Sequence, residues 1–196
     1  MQPPTMLAFM DVYYHEQSAA APGARAAAVM ASHWQAAITS STMMVDMDEV
    51  ADYEPGAFYR RELPCLLALL KALPQPPELM VIDGYVWLDA QGRPGLGAHL
   101  HEALSGRIPV VGIAKTAFAG AENCSRIIPV LRGGSKRPLF VTAVGTDLQE
   151  AASWVAQMSG KHRIPDLLKQ VDALSRSRDT LCALEAPPTA GSTFCL

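Results

Sequence analysis

Residues 79–113 read LMVIDGYVWLDAQGRPGLGAHLHEALSGRIPVVGI. Two apolar runs, Leu79–Ile82 and Ile108–Ile113, have the length of buried strands and are too short for helices. Between them Gly97–Ser105 is compatible with a helix. Strand, helix, strand predicts two parallel neighbours joined by a crossover, since a tight turn can join only antiparallel strands. The first run ends in Asp83, with a glycine directly after it. An ionised carboxylate at the end of an apolar strand is costly unless it is paired or holds a cation. Asp83 is therefore a candidate for chemistry, and the competing reading is a turn residue that bonds its own backbone.

Working upstream, Met6–Tyr14 is short, apolar and aromatic, a strand whose one charge is Asp11. Ala24–Ser32 follows the turn signal Pro22-Gly23, and Gln35–Met47 is rich in Ile, Thr, Val and Met. Three sequential strands with short connections predict an antiparallel meander, although the alanines of the second favour helix on propensity alone. Pro64–Leu73 reads as a helix with its proline in the tolerant first turn, which puts Glu62 just ahead of the helix N-terminus.

Working downstream, Thr116–Lys136 reads as loop, Pro138–Ala143 as a strand, and Leu148–Met158 and Asp166–Ser175 as helices. Residues 178–196 carry Pro, Gly, Ser and Thr without periodicity. The expectation is an α/β fold with a mixed sheet, three antiparallel strands followed by parallel strands with flanking helices. It is expected to occupy one domain, residues 1–176, with a flexible tail at 177–196.

The chain has 196 residues, 49% hydrophobic, enough for one sizeable core. Its net charge of -3 excludes a globally basic nucleic-acid binder, so any such role needs a local basic patch or metal ions. The basic residues from Lys115 to Arg137 supply a patch: Lys115, Arg126, Arg132, Lys136 and Arg137 stand against Glu122 alone. Arg132 and Lys136, in the glycine-containing LRGGSKRP, are candidate phosphate contacts, with an ordinary solvated loop as the alternative. The four cysteines form no C-x-x-C pair. No segment has the pattern of a secretory leader or a membrane span. A reduced cytoplasmic protein without a membrane partner is expected, with a monomer as the default.

Asp11 and Asp83 share one local grammar, an acid at or near the end of an apolar strand. If those strands are neighbours, the carboxylates converge, and Glu62 could face the same point. Oxygen-only clusters suit Mg²⁺ or Mn²⁺, and such a site can promote attack of water on a phosphodiester. Lys115, directly after V-V-G-I-A, could reach the same sheet end and stabilise developing charge. Taken singly, Glu62 is better explained as a solvated acid paired with Arg60 or Arg61.

The ordered blocks DVYY (11–14), YEPGAFYRRELP (53–64), VIDG (81–84), LGAH (96–99), IPVVGIAK (108–115), RPLFVT (137–142) and HRIPD (162–166) resemble the endonuclease V family, over most of residues 6–176. The resemblance implies a ribonuclease H-like fold and a Mg²⁺-dependent nuclease. Such an enzyme cuts on the 3′ side of deaminated adenine, hypoxanthine in DNA or inosine in RNA. It implies Asp11, Glu62 and Asp83 as metal-binding acids, Asp172 as a further polar residue near the metals, and Lys115 as the active-site lysine. It also implies His99 as the histidine of a family block, Tyr53 as a wedge filling the gap left by a displaced base, and Gly84 at the pocket for that base.

The departures fall on recognition. Asp52 and Glu54 flank Tyr53 where the family carries neutral residues. Asp83-Gly84-Tyr85-Val86 replaces the family's D-G-H-G, so the Val86 side chain is expected at the base pocket. Tyr85 and Trp87 are candidates either to stack on a nucleobase or to fill the space left for one. Two other readings stay open: a nucleic-acid binder without catalysis, and a Rossmann-type nucleotide module built on GRPGLG, a weak signal because no G-x-G-x-x-G follows a strand directly.

Overall fold

The computed structural model describes residues 4–15, 23–48, 50–51, 54, 58–118 and 124–177. In chain order the elements are β1 (Leu7–His15), β2 (Gly23–Ala31), β3 (Ser41–Met47), α1 (Tyr59–Ala72), β4 (Leu79–Ile82), α2 (Leu96–Ala103), β5 (Val110–Ala114), β6 (Ile128–Val130), β7 (Leu139–Val144), α3 (Leu148–Gln157) and α4 (Asp166–Ser175). One sheet contains all seven strands in the order β3-β2-β1-β4-β5-β7-β6. The β1–β2–β3 meander is antiparallel, and β1, β4 and β5 run parallel. That order has neither the connectivity nor the all-parallel pairing of a Rossmann module, which removes that reading.

Side chains alternate across the sheet with period two. Leu7, Phe9, Val81, Val111 and Ile113 face α3 and α4, while Ala8, Met10, Met80, Ile82 and Val110 face α1 and α2. Both faces are covered, so β4, β5 and the first four residues of β1 are apolar without interruption. The alanine-rich β2 belongs to this arrangement: all nine residues are buried, and it touches α1 and α4. Its small side chains let both helices approach, and tertiary packing overrides the helical preference of alanine.

Four expectations change. β3 begins at Ser41, six residues later than expected, because residues 35–40 form a turn tied by Thr39 Oγ1 to the Met30 carbonyl at 2.8 Å. α1 begins at Tyr59, so Pro64 lies inside the helix and Glu62 belongs to its first turn. β6 is a strand within the expected loop, and its Pro129 is tolerated because β6 is the edge of the sheet. β7 runs antiparallel to β5 and β6 to β7, so the parallel section is confined to the three central strands. The expected tail, apart from Ser177, lies outside the described residues.

Candidate active site

The register of the parallel strands places the site. Met10 pairs with Ile82, so Asp11 and Asp83 each stand one residue beyond that pair on adjacent strands. By period two both share the face of Phe9 and Val81, which α4 covers, and Lys115 shares the face of Val111 and Ile113. Three residues far apart in sequence thus reach one end of one sheet face.

Lys115 Nζ lies 2.5 Å from Asp83 Oδ2 and 3.9 Å from Asp172 Oδ1, so α4 brings its acid to the same ammonium. Asp11 Oδ2 accepts a 2.6 Å hydrogen bond from the hydroxyl of Ser175, a fully buried residue one turn beyond Asp172. Asp172 also pairs with Arg176 at 3.2 Å. Glu62 comes from the other face, off the first turn of α1. With Asp11, Asp83, Met10, Ile82, Leu66 and Leu96 it lines a gap of about 10 Å³, room for one water-sized sphere.

The electrostatics follow from three acids around so small a space. Burial first, then the negative charges of Asp11 and Asp83, pushes the Glu62 carboxyl up to about 8. Neither expected partner pairs with it: Arg60 bonds Glu54 at 2.7 Å, and Arg61 lies over the Tyr14 ring at 4.3 Å. Burial raises Asp11 above its ordinary range, the Ser175 hydroxyl pulls it back, and Asp83 and Asp172 push it up again. Burial would lower the Lys115 ammonium, but Asp83, Asp172 and Asp11 outweigh it and hold it above its usual value.

Among the described residues, no three metal-ligating side chains are gathered tightly enough to hold an ion as they stand. The donor set nevertheless fits a hard divalent cation. It is oxygen-only, it lines a gap of ionic size, and a cation there would favour the charged form of Glu62 that burial and the neighbouring acids oppose.

The remaining candidates divide. Gly84 has φ 153°, and a Cβ built there meets nothing within 4 Å, so open space lies beside it next to Asp83. Val86 does not face that space: it is fully buried against α2, its amide donating to Thr142 Oγ1 at 2.8 Å, which corrects the expected intrusion. Tyr85 and Trp87 fill space, the tyrosine hydroxyl donating to the Thr116 carbonyl at 2.8 Å and the indole to Ala143 at 3.0 Å. His99 stacks on Tyr59, centroids 3.7 Å apart. Lys136 is exposed, as a phosphate contact requires. Arg132 is not: it is 6% exposed, and its guanidinium donates to carbonyls of residues 156–163, including Met158 and His162. It pins the connection between α3 and α4, and the expected phosphate contact is corrected to a structural one. Tyr53 and Asp52 lie outside the described residues; the charge of Glu54 is answered by Arg60.

Two residues went unread in the sequence. Ser175 could have been found, because it lies at i+3 from Asp172 and shares its helix face. Arg163, whose guanidinium donates to the backbone carbonyls of Lys115 and Pro138, had no local signal, since its partners are distant in the chain.

The model of the Endonuclease V family matches residues 1–173. Endonuclease V of Streptomyces avermitilis is 35% identical over 144 residues, 63% of this chain and 60% of that protein. Endonuclease V of Streptomyces coelicolor is 37% identical over 145 residues, 64% of this chain and 60% of that protein. The chain thus spans about 60% of the length of these curated relatives. The crystal structure of the Streptomyces avermitilis protein superposes with a TM-score of 0.69 at 31% identity, covering 89% of this chain and 82% of that one. Endonuclease V of Ciona intestinalis, solved with a 24mer DNA containing an inosine followed by a ribo-adenosine, shares the fold at 19% identity and a TM-score of 0.69, covering 88% and 84%.

Proposed function

The chain belongs to the endonuclease V family, and from that membership we propose that it is a metal-dependent endonuclease of nucleic-acid repair. It hydrolyses a phosphodiester bond on the 3′ side of deaminated adenine, hypoxanthine in DNA or inosine in RNA. Mg²⁺, or Mn²⁺ in its place, would be held by Asp11, Glu62, Asp83 and Asp172. The observation that supports this best is the meeting of Asp11, Glu62 and Asp83 around one gap, with Lys115 against Asp83 at 2.5 Å. The same reading has residues 1–176 acting as one catalytic unit, a monomer in the cytoplasm.

A cation held by these acids would supply Lewis-acid activation of the scissile phosphate and of the attacking water. The chain supplies the rest. Lys115 offers a fixed ammonium where negative charge grows on the phosphorus oxygens, and Asp83 and Asp172 hold that ammonium in place. Ser175 fixes the rotamer of Asp11 through its 2.6 Å hydrogen bond. The open side of Gly84 receives the displaced base, Tyr53 wedges into the stack it left, and His99 and Lys136 contact the strand.

The test is cleavage of end-labelled single-stranded DNA and RNA, each with and without one inosine, in Mg²⁺, Mn²⁺ or EDTA, beside Asp11→Ala. A metal-dependent cut one nucleotide beyond the inosine, absent in the variant, is expected. Metal-dependent cutting indifferent to inosine would leave a nuclease with a different base pocket. Binding without cutting in any metal would overturn catalysis and leave the binder.

A further inference from the structure

We infer that the loop leaving the candidate active site carries a second nucleic-acid contact: Arg93 and Arg126, laid on the rings of Phe118 and Trp87, bind the phosphodiester backbone of the strand held at Asp83. This rests on the nuclease reading and extends its substrate contact to residues that the family blocks do not include.

The platform beneath the arginines is built, not incidental. Residues 85–95 form a small hairpin: the Leu88 amide donates to the Arg93 carbonyl at 2.9 Å, the Gly95 amide to Val86 at 2.8 Å, and Trp87 bridges to Pro94. Tyr85, Ala114, Cys124 and Ile127 make a separate small core under this hairpin, with Leu88, Phe118 and Phe140 packed on it. The rings are anchored by polar bonds as well. The Tyr85 hydroxyl donates to Thr116 and accepts from the Phe118 amide at 3.2 Å, and the Trp87 indole donates to Ala143.

Two guanidiniums lie on the outer side. Arg126 Cζ is 5.3 Å from the Trp87 ring centroid. Its guanidinium also packs against Gly92, where φ is 81° and a Cβ would come within 3.5 Å of Nε. Arg126 is exposed, and no acceptor among the described residues takes its N–H groups. Arg93 Cζ is 5.1 Å from the Phe118 centroid, its Nε is 3.1 Å from Asp89, and its side chain is 55% exposed. A guanidinium held over a ring has little conformational entropy left to lose on binding, and the donors of Arg126, with those that Asp89 leaves on Arg93, remain for a phosphate.

Position and charge select the partner. Trp87 is four residues beyond Asp83 and Phe118 three beyond Lys115, so at most ~14 Å of extended chain separates either anchor from a site residue. A strand seated at Asp83 can reach this surface within a few phosphates. The chain as a whole carries -3, yet between residues 115 and 137 three exposed basic residues, Arg126, Lys136 and Arg137, stand against Glu122 as the one acid of the segment. That segregation suits a polyanion.

The test is fluorescence anisotropy with a labelled single-stranded DNA lacking inosine, in EDTA so that nothing is cut, across a KCl series. The Arg93→Ala/Arg126→Ala double variant is expected to bind less tightly than the native chain. Its slope of log K against log [KCl] should be smaller by about 1.4, two lost phosphate contacts at ~0.7 each. Arg107→Ala, at the opposite end of β5, should keep the native slope. If the double variant does not fold, Arg126→Gln alone, expected to lose about 0.7 of slope, decides. A native slope and affinity in the variant overturn the surface, and retained cutting at inosine then leaves the nuclease reading standing. A native chain that binds no DNA in EDTA likewise overturns the surface, and the nuclease reading is then decided by cutting at inosine in Mg²⁺ alone.

Discussion

Ser175 shows how much a single hydroxyl settles here. It is fully buried, it donates to Asp11 at 2.6 Å, and it belongs to the helix that also presents Asp172 to Lys115. Its loss frees Asp11 to rotate and leaves a buried oxygen short of one donor. Ser175→Ala is therefore expected to weaken Mn²⁺ binding by about 10- to 100-fold in calorimetry, with Ser175→Thr restoring part of it. An unchanged affinity would remove Ser175 from the site. Lys115→Ala is expected to lower the cutting rate by about 10²- to 10³-fold, the usual cost of one preorganised donor, with substrate affinity less affected. At this scale Asp11, Asp83 and Lys115 were legible because an ion at the end of an apolar run is anomalous by itself. Arg132 was misread because its partners are backbone carbonyls some thirty residues away, which no local pattern announces.

At the scale of the element, α1 and the end of β4 carry the lesson. Pro64 stands inside α1, where it removes the bond to the Arg60 carbonyl, and it faces solvent. The helix persists because Cys65, Leu66 and Leu69 are buried against the sheet. Pro64→Ala should restore the bond and raise stability by about 1–3 kcal/mol, net of unfolded-state entropy, read as a higher midpoint in urea. Gly112 acts oppositely. A Cβ there would lie 2.5 Å from the Gly84 carbonyl and 2.7 Å from Thr142 Oγ1, so β5 must be bare for the loop after Asp83 to cross it. Gly112→Ala is expected to cost about 2 kcal/mol or more and to displace Asp83, lowering activity as well as stability. A variant with native stability would show that the loop can move away freely. Sequence periodicity located both elements, yet the start of α1 depends on packing over its C-terminal half, which periodicity does not weigh.

At the scale of the whole molecule, the meander and α4 are locked together by Arg25. Its guanidinium meets Asp46 on β3 at 2.6 and 2.8 Å and donates to the Ser177 carbonyl just beyond α4 at 2.6 Å. Hydrogen bonding from Arg25 holds Asp46 below its ordinary 3.8. A depressed carboxylate stabilises the fold above its unfolded value and loses that contribution as pH falls through the folded one. Asp46→Asn should therefore be less stable than the native chain at pH 7, and in urea titrations the gap should close as pH falls below the ordinary 3.8 of an aspartate. A constant gap over that range would mean that the charge of Asp46 plays no part.

The sequence by itself determined the mixed α/β order of a ribonuclease H-like fold, the family blocks and the acids at strand ends, because strand period and buried charge are properties of short runs. Only the tertiary structure decided the antiparallel placing of β6 and β7, the burial of Val86 and Arg132, the support of Asp11 by Ser175 and the arginine surface on Trp87 and Phe118. Each depends on which distant segment supplies the partner for a polar group or the cover for an apolar one, and that is fixed by packing across the sheet, not by neighbours along the chain.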